Sequence, residues 1–192
     1  MKNVLLLGAT GNIARKVIDL LSNKDDIHLK LFVRKASRLK NLKCRNCSII
    51  EGDALNFDNV KTAVQGKDII YANLAGDLET VSKNIIKAMI DTGVKRIIAI
   101  SSIGIYETPL RPALKPYRKL ADVIEASDLE YTILRPTWFT NVDEIDYEIT
   151  RKGEPEKGSV ISQKSLATFI TEIIKSPENY VRENLGINKP NS

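Results

Sequence analysis

The sequence contains one histidine, His28, and two cysteines among its 192 residues. A single histidine excludes a multi-histidine metal site and an H-E-x-x-H zinc motif, and it argues against a histidine-based catalytic triad. Two cysteines do not make a disulfide framework. Cys44-Arg45-Asn46-Cys47 also lacks the second pair of a zinc site and the setting of a thioredoxin-like redox motif. We therefore expect two separate thiols and no metal centre.

Long hydrophobic runs are also missing. No stretch approaches the ~18 consecutive apolar residues of a membrane-spanning helix. The apolar run at residues 4–7 has only four residues, too few for the core of a signal peptide. The net charge of +5 is mild and is weak evidence for a polyanionic partner. We expect one cytoplasmic domain, residues 1–192, with no membrane or nucleic-acid partner; the sequence gives no oligomeric state.

Apolar runs alternate with helical patterns along most of the chain. The runs predict six strands, at residues 4–7, 27–33, 48–50, 68–73, 96–101 and 131–134, and a last short strand at residues 181–187. Amphipathic helical spacing between them indicates βαβ units and a single doubly wound α/β Rossmann domain with a mostly parallel sheet. Arg135-Pro136 is expected to stop the sixth strand. Residues 136–192 should complete the fold and line the substrate pocket, although residues 136–161 show little regular pattern.

A glycine-rich turn follows the first strand. Gly8-Ala9-Thr10-Gly11-Asn12-Ile13-Ala14 fits G-x-x-G-x-x-A and opens the first helix. In such a turn the first glycine permits the tight bend, and the second lets a pyrophosphate approach the backbone. Free N–H groups at the helix start then face the phosphates. The position predicts a pyrophosphate site at Gly8, Thr10, Gly11, Asn12 and Ile13. The alternative is a tight turn without a ligand.

The second strand indicates which dinucleotide binds. NAD-binding Rossmann units usually carry an acidic residue at its end, yet residues 27–50 contain no Asp or Glu. Arg34 and Arg38 stand there instead, and a guanidinium can form a fork onto a 2′-phosphate. This predicts NADP(H) over NAD(H). The alternatives are a solvated basic face or a nucleic-acid patch, and the latter is disfavoured because no aromatic platform accompanies the basic run.

Two further segments complete the predicted cofactor site. Asp53 and Ala54, after the third strand, are expected to face the adenine; Asp53 could instead be a residue of the turn before a helix. Asn73-Leu74-Ala75-Gly76 ends the fourth strand with small residues that suit a backbone close to the ribose and pyrophosphate, and Leu74, Ala75 and Gly76 are expected to follow the ribose. Gly76 also fits a plain turn glycine.

These motifs together carry a family resemblance. Gly8-Ala9-Thr10-Gly11, Gly52-Asp53, Ser101-Ser102, the 33–39 segment and the 126–136 segment resemble the atypical short-chain dehydrogenase/reductase group, the NAD(P)H-binding or NmrA-like families. Flavin reductase/biliverdin-IX-beta reductase belongs to this group. The resemblance implies NADP(H) binding, with Ser101 and Ser102 facing the nicotinamide. It also implies that Pro136, Thr137 and Trp138 line the nicotinamide side.

The catalytic chemistry departs from that pattern. Active short-chain dehydrogenases usually pair a tyrosine with a lysine four residues on, which lowers the tyrosine pKa. None of the six tyrosines here has such a lysine. Ser102, four residues before Tyr106, and Tyr117, which opens a helix, are the candidate catalytic groups. Trp138 and Phe139 are either a stacking floor for the substrate or part of the core.

Three functions are compatible with this sequence. The leading hypothesis is an NADP(H)-dependent oxidoreductase that transfers hydride to a small conjugated acceptor, a flavin, quinone or carbonyl compound. The alternative is an NmrA-like regulator that senses NADP(H) without turnover, which the missing Tyr-x-x-x-Lys motif favours. An epimerase acting on a nucleotide sugar is disfavoured, because little chain remains for a substrate domain.

Overall fold

An eight-stranded sheet forms the centre of the computed structural model, which describes residues 1–192. The sheet contains β1 (Lys2–Leu7), β2 (Ile27–Val33), β3 (Cys47–Glu51), β4 (Ile69–Ala72), β5 (Arg96–Ile100), β6 (Glu130–Pro136), β8 (Glu148–Arg151) and β10 (Glu183–Asn188). Its order is β3-β2-β1-β4-β5-β6-β10-β8, and every pair is parallel except β10–β8. β7 (Trp138–Thr140) and β9 (Val160–Ser162) form a separate parallel pair.

Helices cover both faces of the sheet. They are α1 (Asn12–Leu21), α2 (Phe57–Val64), α3 (Leu78–Thr92), α4 (Lys115–Glu125) and α5 (Gln163–Lys175). α1 and α5 pack on one face, and α2, α3 and α4 pack on the other. This architecture confirms the predicted doubly wound Rossmann fold. None of the helices combines the length and the apolar character needed to cross a bilayer.

The first strand shows why a continuous apolar run predicts a central strand. Val4 and Leu6 pack into the core layer with α1 and α5, whereas Leu5 and Leu7 pack into the layer with α2 and α3. All four side chains are fully buried. Because side chains alternate between the faces of a strand, a strand covered on both faces must be apolar at every position.

The strand order reverses between β1 and β4. The chain leaves β1 toward β2 and β3, and then returns to β4 on the other side of β1. In open α/β sheets, ligands bind beyond the carboxyl ends of the strands at such a reversal. The fold therefore places the glycine turn after β1 and the segment after β4 side by side at the expected binding edge.

Two sequence expectations about the last third of the chain are wrong. Residues 136–161 contain β7, β8 and the first two residues of β9. At three or four residues each, these strands are too short to establish a periodic pattern. β6 continues through Arg135 and Pro136, the two residues that were expected to stop it. Arg135 stays in the strand because polar partners surround its buried guanidinium.

The expectation of two separate thiols is also wrong. Cys44 and Cys47 form a disulfide across the turn that precedes β3, with their Cα atoms 5.5 Å apart. The side chain of Asn46, within the same turn, donates hydrogen bonds to the backbone carbonyls of Leu21, Lys24 and Ile27. The disulfide therefore lies at the amino end of β3, opposite the edge where the strands end.

Candidate functional site

The glycine turn meets the segment after β4 at very short range. Gly8 has φ +85°, and a Cβ built on it would lie 2.0 Å from the carbonyl oxygen of Asn73. Gly11 differs, because a Cβ there would meet protein atoms only at 3.4 Å or more. The protein thus requires glycine at position 8 but not at position 11. At Gly11 the missing side chain leaves room for something outside the protein, as a pyrophosphate would need.

The start of α1 has free backbone donors. Gly11 is its N-cap and supplies no side-chain acceptor, whereas Asn56, Asp77 and Ser162 cap α2, α3 and α5 with side-chain oxygens. The first turn of α1 contains no acidic residue. Its N–H groups and the positive end of the helix dipole are therefore available to an anion.

Arg15 connects the glycine turn to the basic segment after β2. Its Nε donates to the carbonyl of Thr10 at 3.3 Å, and its Nη2 donates to the carbonyl of Arg38 at 3.0 Å. The guanidinium thus fixes the turn against the short 3-10 helix Ala36–Leu39. Arg15 is not among the predicted site residues, because both of its contacts are with backbone carbonyls that no sequence motif marks.

A groove of about 360 Å³ runs along the carboxyl ends of β1, β2 and β4. Predicted residues that line it are Gly8, Thr10, Gly11, Arg34, Asp53, Ala54, Leu74, Ala75 and Gly76. Residues that line it without having been predicted are Phe32, Val33, Leu55, Asp77 and Val81. Asn73, which begins the segment expected to lie close to the ribose, lines it as well.

Some predicted cofactor residues lie outside this groove. Asn12 is exposed at the start of α1, and Ile13 is buried in the core beneath it. Arg38 is exposed on the 3-10 helix and is not among the lining residues. Ser101 and Pro136 line a second cavity, described below.

Carboxylates organise the end of the groove that the segments after β2 and β3 form. Glu51, at the end of β3, accepts a hydrogen bond from the backbone N–H of Ala36 and so holds the segment that follows Arg34. Asp53 Oδ1 accepts from the N–H of Leu55 at 3.0 Å. Asp53 therefore forms the local turn before α2 and lines the groove at the same time.

A larger cavity of about 580 Å³ adjoins the groove at Asn73 and Leu74, which line both. Its walls come from the ends of β5 and β6, the start of α4, and β7. Predicted residues in its lining are Ser101, Ser102, Tyr117, Pro136, Thr137, Trp138 and Phe139. Glu107, Arg111, Leu114, Gly158 and Ser159 also line it and were not predicted. Gly158 and Ser159 belong to the segment without regular sequence pattern.

The two aromatic residues of β7 are not core residues. Trp138 is 74% exposed and Phe139 is 47% exposed, and both line the larger cavity. Exposed aromatic faces at a cavity wall are suited to stacking against a planar molecule. Of the two interpretations of these residues that the sequence allows, the structure excludes the core.

Ser101 and Ser102, which follow β5, differ in their burial and in the hydrogen bonds that they form. Ser101 is buried, and its hydroxyl donates to the backbone carbonyl of Tyr117 at 3.1 Å, which joins the end of β5 to α4. The half-buried Ser102 donates to the carbonyl of Ile103 at 3.1 Å, and its oxygen keeps the capacity to accept a hydrogen bond. Ser102 is therefore the serine better placed to contact a ligand.

Lys119, two residues beyond Tyr117, forms an ion pair with Glu79 on α3. Hydrogen bonds from Lys119 and Lys83 lower the pKa of Glu79 to about 2, and the hydrogen bond with Glu79 raises the pKa of Lys119.

Tyr106, the tyrosine four residues after Ser102, is not in the cavity lining. Burial and the nearby carboxylate of Glu125 raise its pKa, which is opposite to what an acid catalyst near neutral pH requires.

Comparison with known proteins identifies the family. A family model described as NAD(P)H-binding matches residues 8–177. The chain belongs to the NAD(P)H-binding family. This confirms the resemblance to the short-chain dehydrogenase/reductase group drawn from the motifs.

Solved structures and a curated relative agree with this membership in the NAD(P)H-binding family. A Rossmann-fold NAD(P)-binding family protein from Shigella flexneri is 50% identical, with a TM-score of 0.92 over 100% of this chain and 95% of that one. A short-chain dehydrogenase/reductase from Veillonella parvula in complex with NADP is 25% identical, with a TM-score of 0.88 over 99% and 95%. The "Uncharacterized sugar epimerase YhfK" of Bacillus subtilis is 29% identical, covering 85% of this chain and 78% of that protein.

Proposed function

We propose that this protein is an NADP(H)-dependent oxidoreductase that transfers hydride to a small conjugated acceptor, a flavin, a quinone or a carbonyl compound. One observation carries the proposal: the nucleotide groove opens into a larger, aromatic-walled cavity at Asn73 and Leu74. A dinucleotide whose pyrophosphate lies at the glycine turn would place its nicotinamide at this junction. The acceptor would then lie against the nicotinamide, within the larger cavity.

The residues of the groove support NADP(H) as the nucleotide. The exposed guanidinium of Arg34 lines the adenosine end, where a 2′-phosphate would project. The carboxylate of Glu51, which is paired with Val33 on the neighbouring strand, is engaged by the N–H of Ala36. An NAD-selective site would instead present a free carboxylate to the ribose hydroxyl.

The cavity walls support a planar, conjugated acceptor. Trp138 and Phe139 offer ring faces on one side, while Ser102 and Tyr117 offer hydroxyl groups. For hydride transfer the protein mainly has to hold donor and acceptor in contact, and this can supply several kcal/mol of the barrier reduction, about 7–11 in favourable cases. Solvent can supply the accompanying proton because the cavity is open. A tyrosine with a depressed pKa is then not required.

The test is NADPH consumption by the purified protein against a panel of flavins, quinones, aldehydes and ketones. The proposal expects turnover with at least one flat conjugated acceptor and faster turnover with NADPH than with NADH. Tight NADPH binding without turnover across the panel would contradict it. A further assay with a nucleotide sugar measures epimerisation without net NADPH oxidation and so tests the activity named for the Bacillus relative.

A second candidate is a regulator that senses NADP(H) without turnover. The observation in its favour is the pairing of Lys119 with Glu79, which engages that lysine away from the Tyr117 hydroxyl. Such a protein would bind NADPH and NADP⁺ with different affinities and show no acceptor-dependent oxidation. Isothermal titration with both nucleotides, alongside the acceptor panel, separates the two functions.

A further inference from the structure

One ion pair, between the buried guanidinium of Arg135 and the half-buried carboxylate of Glu156, connects two segments that line the acceptor cavity. Glu156, between β8 and β9, accepts a hydrogen bond from Arg135 Nε through Oε1 at 2.9 Å. Its second oxygen, Oε2, accepts from the backbone N–H of Gly104 at 2.9 Å. A single side chain thus joins the end of β6, the turn after β5 and the β8–β9 connection.

Arg135 is an unusual residue for the inside of a strand. Its side chain is 1% exposed, and its Nη1 donates to both the backbone and the side-chain carbonyl of Asn184. A buried guanidinium is costly to desolvate and adds little stability compared with an apolar residue of similar volume. In this structure its main effect is to hold the carboxylate of Glu156 in one position.

The turn that Glu156 holds is the one that carries Ser102. Gly104 lies two residues after Ser102, with φ +79°, and lines the cavity. The intervening amide, on Ile103, donates to the carbonyl of Pro136 at 3.1 Å. Both amides that follow Ser102 are therefore held from outside the turn, one by β6 and one by Glu156.

A second part of the cavity lining is reached through the same segment. Gly158 and Ser159, which follow Glu156 closely, line the cavity. The carbonyl of Ser159 accepts a hydrogen bond from the N–H of Trp138 at 3.1 Å. The position of Glu156 therefore affects the wall that contains Trp138 as well as the turn that carries Ser102.

We propose that Glu156, fixed by Arg135, is a positioning residue that sets the spacing between the Ser102 turn and the Trp138 wall of the acceptor cavity. The predicted effect of Glu156 on catalytic turnover rests on the proposed reductase function. Its effect on the conformation of the Ser102 turn does not. The nucleotide groove contains neither residue. Loss of Glu156 should therefore change the acceptor half of the reaction and leave nucleotide binding unchanged.

The experiment compares Glu156→Ala with the double variant Arg135→Met/Glu156→Ala and with Glu154→Ala. Glu154 lies in the same segment and accepts only from the N–H of Arg151, so it serves as the matched control. The double variant removes the unpaired buried cation and keeps the test valid if Glu156→Ala alone folds poorly. Hydrogen exchange of the Gly104 amide is measured together with NADPH affinity and acceptor turnover.

The proposal expects the Gly104 amide to lose protection in both Glu156 variants, while amides of β1 and β2 keep theirs. It expects kcat/KM for the acceptor to fall by about 100-fold, as a displacement near 1 Å can cause, with NADPH affinity unchanged. The double variant should recover thermal stability without recovering turnover. Unchanged Gly104 protection, or turnover recovered together with stability, would overturn the positioning role. A wild-type protein without turnover would overturn the reductase function, and Gly104 exchange would still decide the role of Glu156.

Discussion

The carbonyl oxygen of Asn73 lies 2.0 Å from the point that a Cβ on Gly8 would occupy. This contact joins the turn after β1 to the segment after β4, so the groove and the cavity share one rigid junction. Gly8 also has a positive φ of +85°, which a residue with a side chain adopts only at a cost of about 1–3 kcal/mol.

Gly8→Ala should therefore destabilise the protein strongly. The strain of the positive φ and the displacement of the Asn73 carbonyl both contribute, for a total of about 2–5 kcal/mol. The matched control is Gly66→Ala, since Gly66 has φ +69° but no atom within 4 Å of the added Cβ. Urea denaturation of both variants separates the two contributions. Equal losses would show that the contact with Asn73 has no cost of its own.

Gly11→Ala should behave in the opposite way. Gly11 has an ordinary φ of −68°, and its nearest protein neighbours would be at van der Waals distance from a new Cβ. We expect the free energy of unfolding to change by less than about 1 kcal/mol. NADPH affinity should fall at least about tenfold, because the methyl group occupies the approach of the pyrophosphate. Unaltered NADPH affinity in calorimetric titration would contradict the assignment of the turn.

Charge reversal at Arg34 tests the nucleotide preference. Arg34→Glu should weaken NADPH binding by about 10- to 100-fold, the range expected for the loss of a charge-assisted hydrogen bond. The affinity for NADH should change much less. Lys35→Glu is the control, because Lys35 is exposed, is adjacent, and does not line the groove. It changes the net charge equally but should leave the ratio of the two affinities unchanged. Equal weakening of NADPH and NADH by Arg34→Glu would remove the predicted selectivity.

Trp138 is the only tryptophan of the chain, so it reports on the acceptor cavity directly. Acceptor binding should quench its fluorescence. Trp138→Ala should reduce turnover while changing stability by less than about 0.5 kcal/mol, since the side chain is 74% exposed. Trp138→Phe should retain part of the turnover because it keeps an aromatic face. An Ala variant as active as the wild type would exclude the stacking role.

The first half of the sheet was the more predictable part. β2 has the bounds that the sequence indicates, and the glycine turn after β1 is placed as expected, because continuous apolar runs and a glycine motif are local signals. β7, β8 and β9 could not be predicted, since three or four residues carry no period. The role of Glu156 depends on contacts with residues 21 and 52 positions earlier in the chain, which no local pattern encodes.

The residues of the candidate site also differ in how far the sequence predicts them. The lining of the nucleotide groove follows strand ends, so most of it could be inferred from the alternation of strands and helices. The acceptor cavity draws Arg111 and Leu114 from a proline-containing loop and Ser159 from the irregular segment. Long-range packing decides whether such residues meet, and it decided that Trp138 and Phe139 face the cavity.

The most direct measurement of the central claim is the fate of the hydride. The protein is incubated with NADPH deuterated at C4 of the nicotinamide, in each of its two stereochemical forms, together with an acceptor that supports turnover. Because the groove and the cavity meet on one side of the nicotinamide position, we predict that one stereoisomer loses its deuterium on oxidation and that the other keeps it in the NADP⁺ formed. Where the reduced acceptor keeps the transferred hydrogen on carbon, the label should appear in it. Equal loss of deuterium from both forms, or no oxidation despite tight NADPH binding, would contradict this prediction.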